Sequence, residues 1–168
     1  MQNYWPIAGS TIDVIGQMNM EIKLNGQLTT DRFGNPESAL LLSEGYASVP
    51  SGIYFDPTTG GFTFMAWIKI IKFTRYARIF EFGNVPNADN VLIYFDHDEK
   101  KIYLQTYIGA TLSKTLFSTN VFNENEWYHV AVSVSGGTAT LYQNGVEQGV
   151  MNGNILVFKN GLSLKFLI

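Results

Sequence analysis

Side chains of contrasting polarity alternate with a period of two along most of this chain, and no long segment shows the 3.6-residue period of a helix. In residues 62–70, FTFMAWIKI, the Phe and Ile side chains fall on one face, and Thr63, Met65, Trp67 and Lys69 fall on the other. The segments ARIFEF, NVLIYFD and KIYLQTYIG alternate similarly. Because successive side chains of a strand point to opposite faces, the pattern predicts half-buried β-strands.

Turn-forming clusters separate these strands, among them DPTTGG, FGNVPNADN, DHDEK and NG. The spacing of roughly 8–12 residues between turns, with aromatic-rich strands, is typical of a sandwich. We therefore expect an all-β fold, an antiparallel two-sheet β-sandwich. With 168 residues, of which 46% are hydrophobic, the chain fits a single domain over residues 1–168.

The most patterned stretch, residues 123–149, predicts a three-stranded meander rather than a catalytic cluster. Tyr128 and the three following alternate valines face one way, and Trp127 and His129 face the other. Gly136-Gly137 and Asn144-Gly145 are the tight turns, the second with the residue types of a type I′ hairpin. We interpret Trp127 and His129 as framework, since a single His on a strand is seldom a ligand or a base.

Composition excludes several function classes. The formal net charge is −3 with no basic run, which argues against nucleic acid as a partner. The chain has no cysteine, which excludes disulfides, thiolate zinc sites and a Cys nucleophile. No apolar run approaches the roughly 20 residues of a membrane span, and residues 1–10 lack a signal-peptide pattern.

A glycosidase needs two carboxylates roughly 5–10 Å apart on one face. On a strand, this means two acidic residues at positions i and i+2. Asp96 and Asp98 in YFDHDEKK are the nearest match, but they fall at a turn and are interpreted as a solvated hairpin tip. Neither His97 nor His129 lies in a nucleophile-elbow motif. We therefore predict that the chain is not an enzyme.

The Asn-rich loop after residue 83 is the candidate metal site. Sandwich proteins bind calcium with loop Asp, Asn and carbonyl oxygens. An ordinary Asn-rich turn is the favoured interpretation of this loop, and Ca²⁺ is the candidate cofactor if the loop binds a metal. The predicted metal ligands are Asp89, Asn90 and Asp96.

Aromatic faces beside planar polar groups are what a sugar site needs. Tyr103 and Tyr107 form a stripe on one strand face, and Tyr54 and Phe55 precede DPTTGG. With 14% aromatic residues, most of these side chains are expected to fill the core. The predicted ligand-binding residues, around a strand entrance and the Asn-rich loop, are Arg75, Tyr76, Asn84 and Asn87.

The segment DRFGNP is interpreted as a folding device rather than a binding site. Asp31 can accept hydrogen bonds from turn amides, and Gly34 permits a tight bend before Pro36. Arg32 is expected to pair with a carboxylate or a carbonyl.

Several blocks together resemble the laminin-G-like, concanavalin A-like jelly-roll superfamily: FTFMAWIK, RIFEFGN and NEWYHVAVSVSGGTATLYQNG. Near the N-terminus, YWPIAGSTIDVIGQMNMEI resembles the superfamily's first strand, and TTDRFGNPESALLL a segment common in its LamG-like branch. The similarity covers about residues 3–150. It implies a jelly roll with Greek-key connections, and mostly extracellular roles in glycan recognition or adhesion.

After about residue 150 the chain departs from that pattern, so its final strands are expected to be atypical or truncated. A missing strand would leave an unpaired sheet edge, which a neighbouring chain could fill. Two hypotheses follow. The first is a non-enzymatic extracellular or cell-surface module that binds a glycan or glycoprotein. The alternative is a self-associating structural subunit, a homo-oligomer using an open C-terminal edge.

Overall fold

The computed structural model describes residues 2–52, 61–75, 77–83, 91–108, 111–153 and 162–166, and within them eleven antiparallel strands make two sheets. One sheet has seven strands in the order β1-β2-β11-β4-β5-β6-β7, and the other has four in the order β10-β9-β8-β3. The strands are β1 Glu21–Thr29, β2 Ala39–Gly52, β3 Gly61–Lys69, β4 Arg78–Gly83, β5 Val91–Asp96, β6 Lys101–Ile108, β7 Thr111–Phe117, β8 Trp127–Ser135, β9 Thr138–Gln143, β10 Val146–Asn152 and β11 Leu162–Phe166. The predicted all-β, two-sheet sandwich is confirmed.

The period-two pattern explains how the two sheets pack. In β3 the even-numbered side chains are more buried than Thr63, Met65 and Trp67, and in β6 Ile102, Leu104 and Thr106 are buried. Each sheet therefore has one inner and one outer face, as the alternation predicts. The largest fully buried side chains come from both sheets and from the β7–β8 connection: Phe80, Phe95, Phe122, Ile79, Ile93, Ile102, Leu104, Leu141, Val130 and Val132.

Aromatic rings join the two sheets across the core. Phe64 of β3 lies 4.2 Å from Phe80 of β4, centroid to centroid. Phe122 lies 5.6 Å from Phe95 of β5 and 4.7 Å from Tyr128 of β8, both edge-on. Such pairs add about 0.5–1.5 kcal/mol each beyond the area they bury.

The predicted meander is confirmed as β8, β9 and β10. Gly136 and Gly137 have φ of 55° and 78°, and Asn144 and Gly145 have φ of 52° and 78°. The side chain of Asn144 accepts a hydrogen bond from the amide of His129 at 2.8 Å, which fastens the second turn to β8. Turn chemistry therefore sets the register of these three strands.

The N-terminal segment differs from the expectation that residues 4–22 form a strand, because β1 begins only at Glu21. Asp13, only 2% exposed, organises the preceding residues. Burial by itself would raise the pKa of Asp13, but the hydrogen bonds outweigh it and hold that pKa well below its usual range. Its carboxylate accepts five hydrogen bonds of 2.7–3.1 Å, from the side-chain amide of Asn3 and the backbone amides of Tyr4, Ile15, Gly16 and Met18.

The predicted open edge at the C-terminal strand is not found. β11 pairs with β2 on one side, where Leu164 opposes Val49, and with β4 on the other, where Leu164 opposes Phe82. The strand therefore lies inside the seven-stranded sheet, with its backbone groups satisfied on both sides. Self-association through an open edge of this strand loses its structural basis.

Candidate functional site

A row of aromatic side chains crosses the outer face of the seven-stranded sheet. Strand register places Tyr94 of β5 opposite Tyr103 of β6, and Tyr103 opposite Phe117 of β7. The Tyr94 and Tyr103 ring centroids are 5.4 Å apart with planes 28° from parallel, and those of Tyr103 and Phe117 are 5.5 Å apart at 32°. We call these three residues the aromatic row. Their side chains point away from the core, since the adjacent residues Ile102, Leu104 and Leu116 on the same strands are buried.

Charged groups lie at both ends of the aromatic row. On β4, Arg78 opposes Tyr94 and forms an ion pair with Glu81. At the other end, the Lys101 ammonium lies 5.1 Å from the centroid of Phe117, whose side chain is 49% exposed. The row thus ends on an accessible ring with a cation beside it.

Planar polar groups lie beside the aromatic row on the same face. Gln105 accepts a hydrogen bond from the Tyr107 hydroxyl at 3.1 Å and donates one to Thr115 at 3.4 Å. These contacts fix the orientation of the Gln105 amide next to Tyr103. A surface that combines aromatic rings with oriented amide and hydroxyl groups meets the chemical needs of a polyhydroxylated ligand.

The two tyrosines of the row keep their protons. Burial raises the pKa of Tyr103 to about 12, together with its hydrogen bond to Glu99 and the negative charges of Glu99 and Asp96. Burial also raises the pKa of Tyr94, and the charge of Asp96 contributes next. Both phenols therefore stay neutral at physiological pH. The O–H of Tyr103 is donated to Glu99, so Tyr103 offers a ligand its acceptor lone pairs, and Tyr94 offers an O–H donor as well.

Sequence reasoning found part of this surface. It grouped Tyr103 with Tyr107, which do share the outer face of β6, but it missed Tyr94 and Phe117. The signal for Tyr94 was available: in the β5–β6 hairpin, where Asp96 pairs with Lys101, Tyr94 and Tyr103 each lie two residues further from the turn. Phe117 had no comparable signal, because β6 and β7 shift register between Thr106 and Tyr107.

Two of the predicted site residues lie in the described part of the chain. Arg75 is exposed in the turn between β3 and β4. Asp96 ends β5, and its carboxylate accepts hydrogen bonds from the amides of Asp98 at 3.0 Å and Glu99 at 2.8 Å. Asp96 thus closes the hairpin turn, as expected for a hairpin tip.

The other predicted site residues lie outside the described residues: Tyr76, Asn84, Asn87, Asp89 and Asn90. The calcium site and the loop ligand site therefore stay predictions. In the part of the chain that the structure describes, no three His, Cys, Asp or Glu side chains come together as metal ligands. Tyr54 and Phe55 also fall outside the described residues.

His129 has the framework position that the sequence predicts. Its ring meets the Trp67 ring edge-on at 5.4 Å, on the outer face of the four-stranded sheet. Arg32 differs from its expected pairing with a carboxylate or carbonyl: its guanidinium lies over the Trp67 and Phe33 rings. Among the described residues, no helix has the length and apolarity to cross a lipid bilayer.

A family model described as the concanavalin A-like lectin/glucanases superfamily matches residues 42–164. The chain belongs to this superfamily. The jelly-roll arrangement of its two sheets agrees with that membership. No protein of curated function matches the chain in sequence at a significant level.

Several solved structures share the sandwich fold. Domain 4 of AbnA, a GH43 extracellular arabinanase from Geobacillus stearothermophilus, in complex with arabinotriose, has a TM-score of 0.61 at 18% identity, over 98% of this chain and 81% of that one. The carbohydrate binding module CBM66 from Bacillus subtilis has a TM-score of 0.53 at 15% identity, over 88% and 87%. HCR/D-Sa-GBL1/C has a TM-score of 0.69 at 13% identity, over 99% of this chain and 43% of that chain, so this chain spans less than half of it. Identities this low show the fold alone.

Proposed function

We propose that this chain is a non-enzymatic glycan-binding module, and that the outer face of the seven-stranded sheet is its binding surface. The observation that carries the proposal is the aromatic row with Gln105, Tyr107 and Thr115 beside it. Sugar rings have apolar C–H faces and hydroxyl edges, so they bind best where aromatic rings adjoin fixed hydrogen-bonding groups.

The superfamily supports a carbohydrate ligand. The Bacillus subtilis neighbour is a carbohydrate binding module, and the AbnA domain was solved with arabinotriose. Arabino-oligosaccharides are therefore the first ligand class to test. Since AbnA is an extracellular enzyme, we also propose an extracellular or cell-surface location, where the chain meets a glycan or glycoprotein.

Binding rather than catalysis is supported by the chemistry of the acidic groups near the row. Glu81 is engaged by Arg78, Asp96 closes a turn, and Glu99 accepts from Tyr103. A glycosidase needs one carboxyl held protonated and another held free beside the scissile bond. These three carboxylates have structural partners instead.

The loop prediction adds a calcium-dependent component to the proposal. Asp89, Asn90 and Asp96 would supply oxygen ligands to Ca²⁺, and Arg75, Tyr76, Asn84 and Asn87 would contact the ligand near that loop. A chelator separates this component from the aromatic row, because ring stacking needs no metal.

The deciding experiment measures affinity for a broad glycan panel that includes arabino-oligosaccharides, with calcium and again with a chelator. Tyr103→Ala and Phe117→Ala are expected to weaken binding of the selected glycan by about tenfold, equivalent to about 1.4 kcal/mol. Tyr142→Ala is the matched control, since Tyr142 is a half-buried tyrosine on the other sheet.

Each outcome bears on a different part of the proposal. Weakening by both row variants, with Tyr142→Ala unchanged, supports the aromatic row as the site. Binding that disappears with the chelator supports the calcium loop. Wild-type protein that binds no glycan, or row variants that bind as tightly as wild type, would overturn the proposed surface.

A further inference from the structure

A second group of side chains combines an arginine and a phenylalanine of the β1–β2 loop with two rings on the outer face of the four-stranded sheet. The Arg32 guanidinium carbon lies 4.1 Å from the Trp67 ring centroid and 3.7 Å from the Phe33 ring centroid. Phe33 is 69% exposed and Trp67 is 46% exposed. The ring of His129 also meets Trp67, edge-on. These four residues form the Arg32 cluster.

The loop that carries Arg32 is rigidly built. The Asp31 carboxylate accepts hydrogen bonds from the amides of Phe33 at 2.8 Å and Asn35 at 2.9 Å, and from the Asn35 side chain at 3.0 Å. Gly34 takes the left-handed conformation, with φ of 89°, that closes the turn. Arg32 is thus presented from a fixed backbone, which lowers the entropy lost when it binds a ligand.

Among the described residues, no acceptor takes up the hydrogen-bonding capacity of the Arg32 guanidinium. Its contacts within the described chain are with aromatic faces, and none of its N–H donors meets an acceptor there. A guanidinium offers five N–H donors in a planar fork that matches a carboxylate or a sulfate. Contact with two rings holds this fork in place while leaving its edge available to a ligand.

The strands of the four-stranded sheet nearest Trp67 carry no acidic residue. β3, β8 and β9 contain no Asp or Glu, and Lys69 lies on the same outer face of β3 as Trp67. Two carboxylates lie close along the chain: Asp31 in the same loop, which accepts hydrogen bonds from Phe33 and Asn35, and Glu126 just before β8, which accepts one from Tyr128. An anion beside Arg32 would therefore meet positive charge without a facing negative group on these three strands.

From these observations we propose that the Arg32 cluster is a second binding site, selective for acidic saccharides. The carboxylate or sulfate of the saccharide pairs with the Arg32 guanidinium, and its sugar ring lies against the exposed surface of Phe33 or Trp67. The site lies between the β1–β2 loop and the outer face of the four-stranded sheet, and it needs none of the aromatic row. Its charge selectivity goes beyond the function proposed above.

Calorimetric titration with three probes tests the site: oligogalacturonate, the same oligosaccharide after reduction of its carboxyl groups, and a sulfated glucan oligosaccharide. Wild-type protein is expected to bind one or both acidic probes and to bind the reduced probe at least about tenfold more weakly, the loss typical of an unmade charged hydrogen bond. Raising the salt from about 0.05 M to about 0.5 M weakens acidic-probe binding by screening. The acidic probe that binds identifies the anion as carboxylate or sulfate.

Variants of the cluster assign the effect to Arg32. Arg32→Gln should weaken acidic-probe binding by about tenfold or more, and Arg32→Lys by less, because lysine keeps the charge but not the fork. Lys72→Gln is the matched control, removing the same charge from an exposed position. Melting temperatures of the three variants should stay close to that of wild type, since the turn depends on Asp31.

Three results would overturn the proposal: wild type that binds neither acidic probe, equal binding of oligogalacturonate and its reduced form without sulfated-probe binding, or Arg32→Gln that binds like Lys72→Gln. The Tyr103→Ala variant keeps this test apart from the function proposed above. It should leave acidic-probe affinity at the Arg32 cluster unchanged even if the aromatic row binds nothing.

Discussion

Replacement of Asp13 by asparagine should destabilise the protein by about 3 kcal/mol. The carboxylate accepts five hydrogen bonds, and an amide keeps one oxygen while turning an NH₂ group toward the remaining donors. Two or more bonds are lost, and each bond to a charged group is worth about 1.5–3 kcal/mol. We take the lower end because the loop can relax. For a domain of this size the melting temperature should fall by about 6–12 °C.

Urea unfolding followed by tryptophan fluorescence measures this change. Trp5 reports on the affected segment, because its indole N–H donates to the carbonyl oxygen of Met18 at 2.8 Å. Asp98→Asn is the matched control: it removes the same charge from an exposed hairpin tip and should change stability by less than about 0.5 kcal/mol.

The difference in stability between wild type and Asp13→Asn should also depend on pH. The native pKa of Asp13 lies below its unfolded value of about 3.9, so the unfolded state binds the proton first as the pH falls. The stabilisation by Asp13 is then complete above about pH 5 and is lost progressively in acid. The difference in unfolding free energy between wild type and Asp13→Asn should be constant near neutral pH and narrow below about pH 4. A difference under 1 kcal/mol at neutral pH, or one that widens in acid, would refute this account.

Two further predictions concern the framework. Deletion of residues 162–168 should abolish cooperative thermal unfolding and near-UV circular dichroism, because β2 and β4 lose the strand between them. A truncated chain that melts like wild type would contradict the sheet order. Asn144→Ala should lower the free energy of unfolding by about 2 kcal/mol. Alanine is strained in the left-handed backbone conformation at this position, and it cannot accept the hydrogen bond from the His129 amide. Asn144→Gly keeps the backbone freedom and should cost about half as much in the same urea titration.

Local patterns in the sequence predicted the strands and turns. The alternation in β3 and β6 placed the correct side chains inside, and the glycines at 136, 137 and 145 marked turns that do have positive φ. These features depend on periods of two and on backbone freedom, which neighbouring residues determine.

Long-range placement was not predictable in the same way. β4 and β11 are far apart in the sequence but pair side by side in the sheet. No pattern within β11 specifies its partners. Arg32 was expected to find an oxygen acceptor, but the fold brings it against Trp67, 35 residues later. In the candidate site, the period-two pattern of β6 identifies its outward-facing tyrosine. The complete aromatic row depends on how the three strands β5, β6 and β7 are aligned.

The central position of β11 also constrains how the protein is made. About 110 residues separate the end of β2 from the start of β11, and their synthesis takes about 5–20 seconds at cellular rates. For most of that interval, after residue 83, β2 and β4 have been translated but β11, which pairs with both, has not. The nascent chain therefore carries two unpaired strand edges, which invite association with other nascent chains. Ribosome-bound chaperones that cover these edges should accordingly raise the yield of soluble protein.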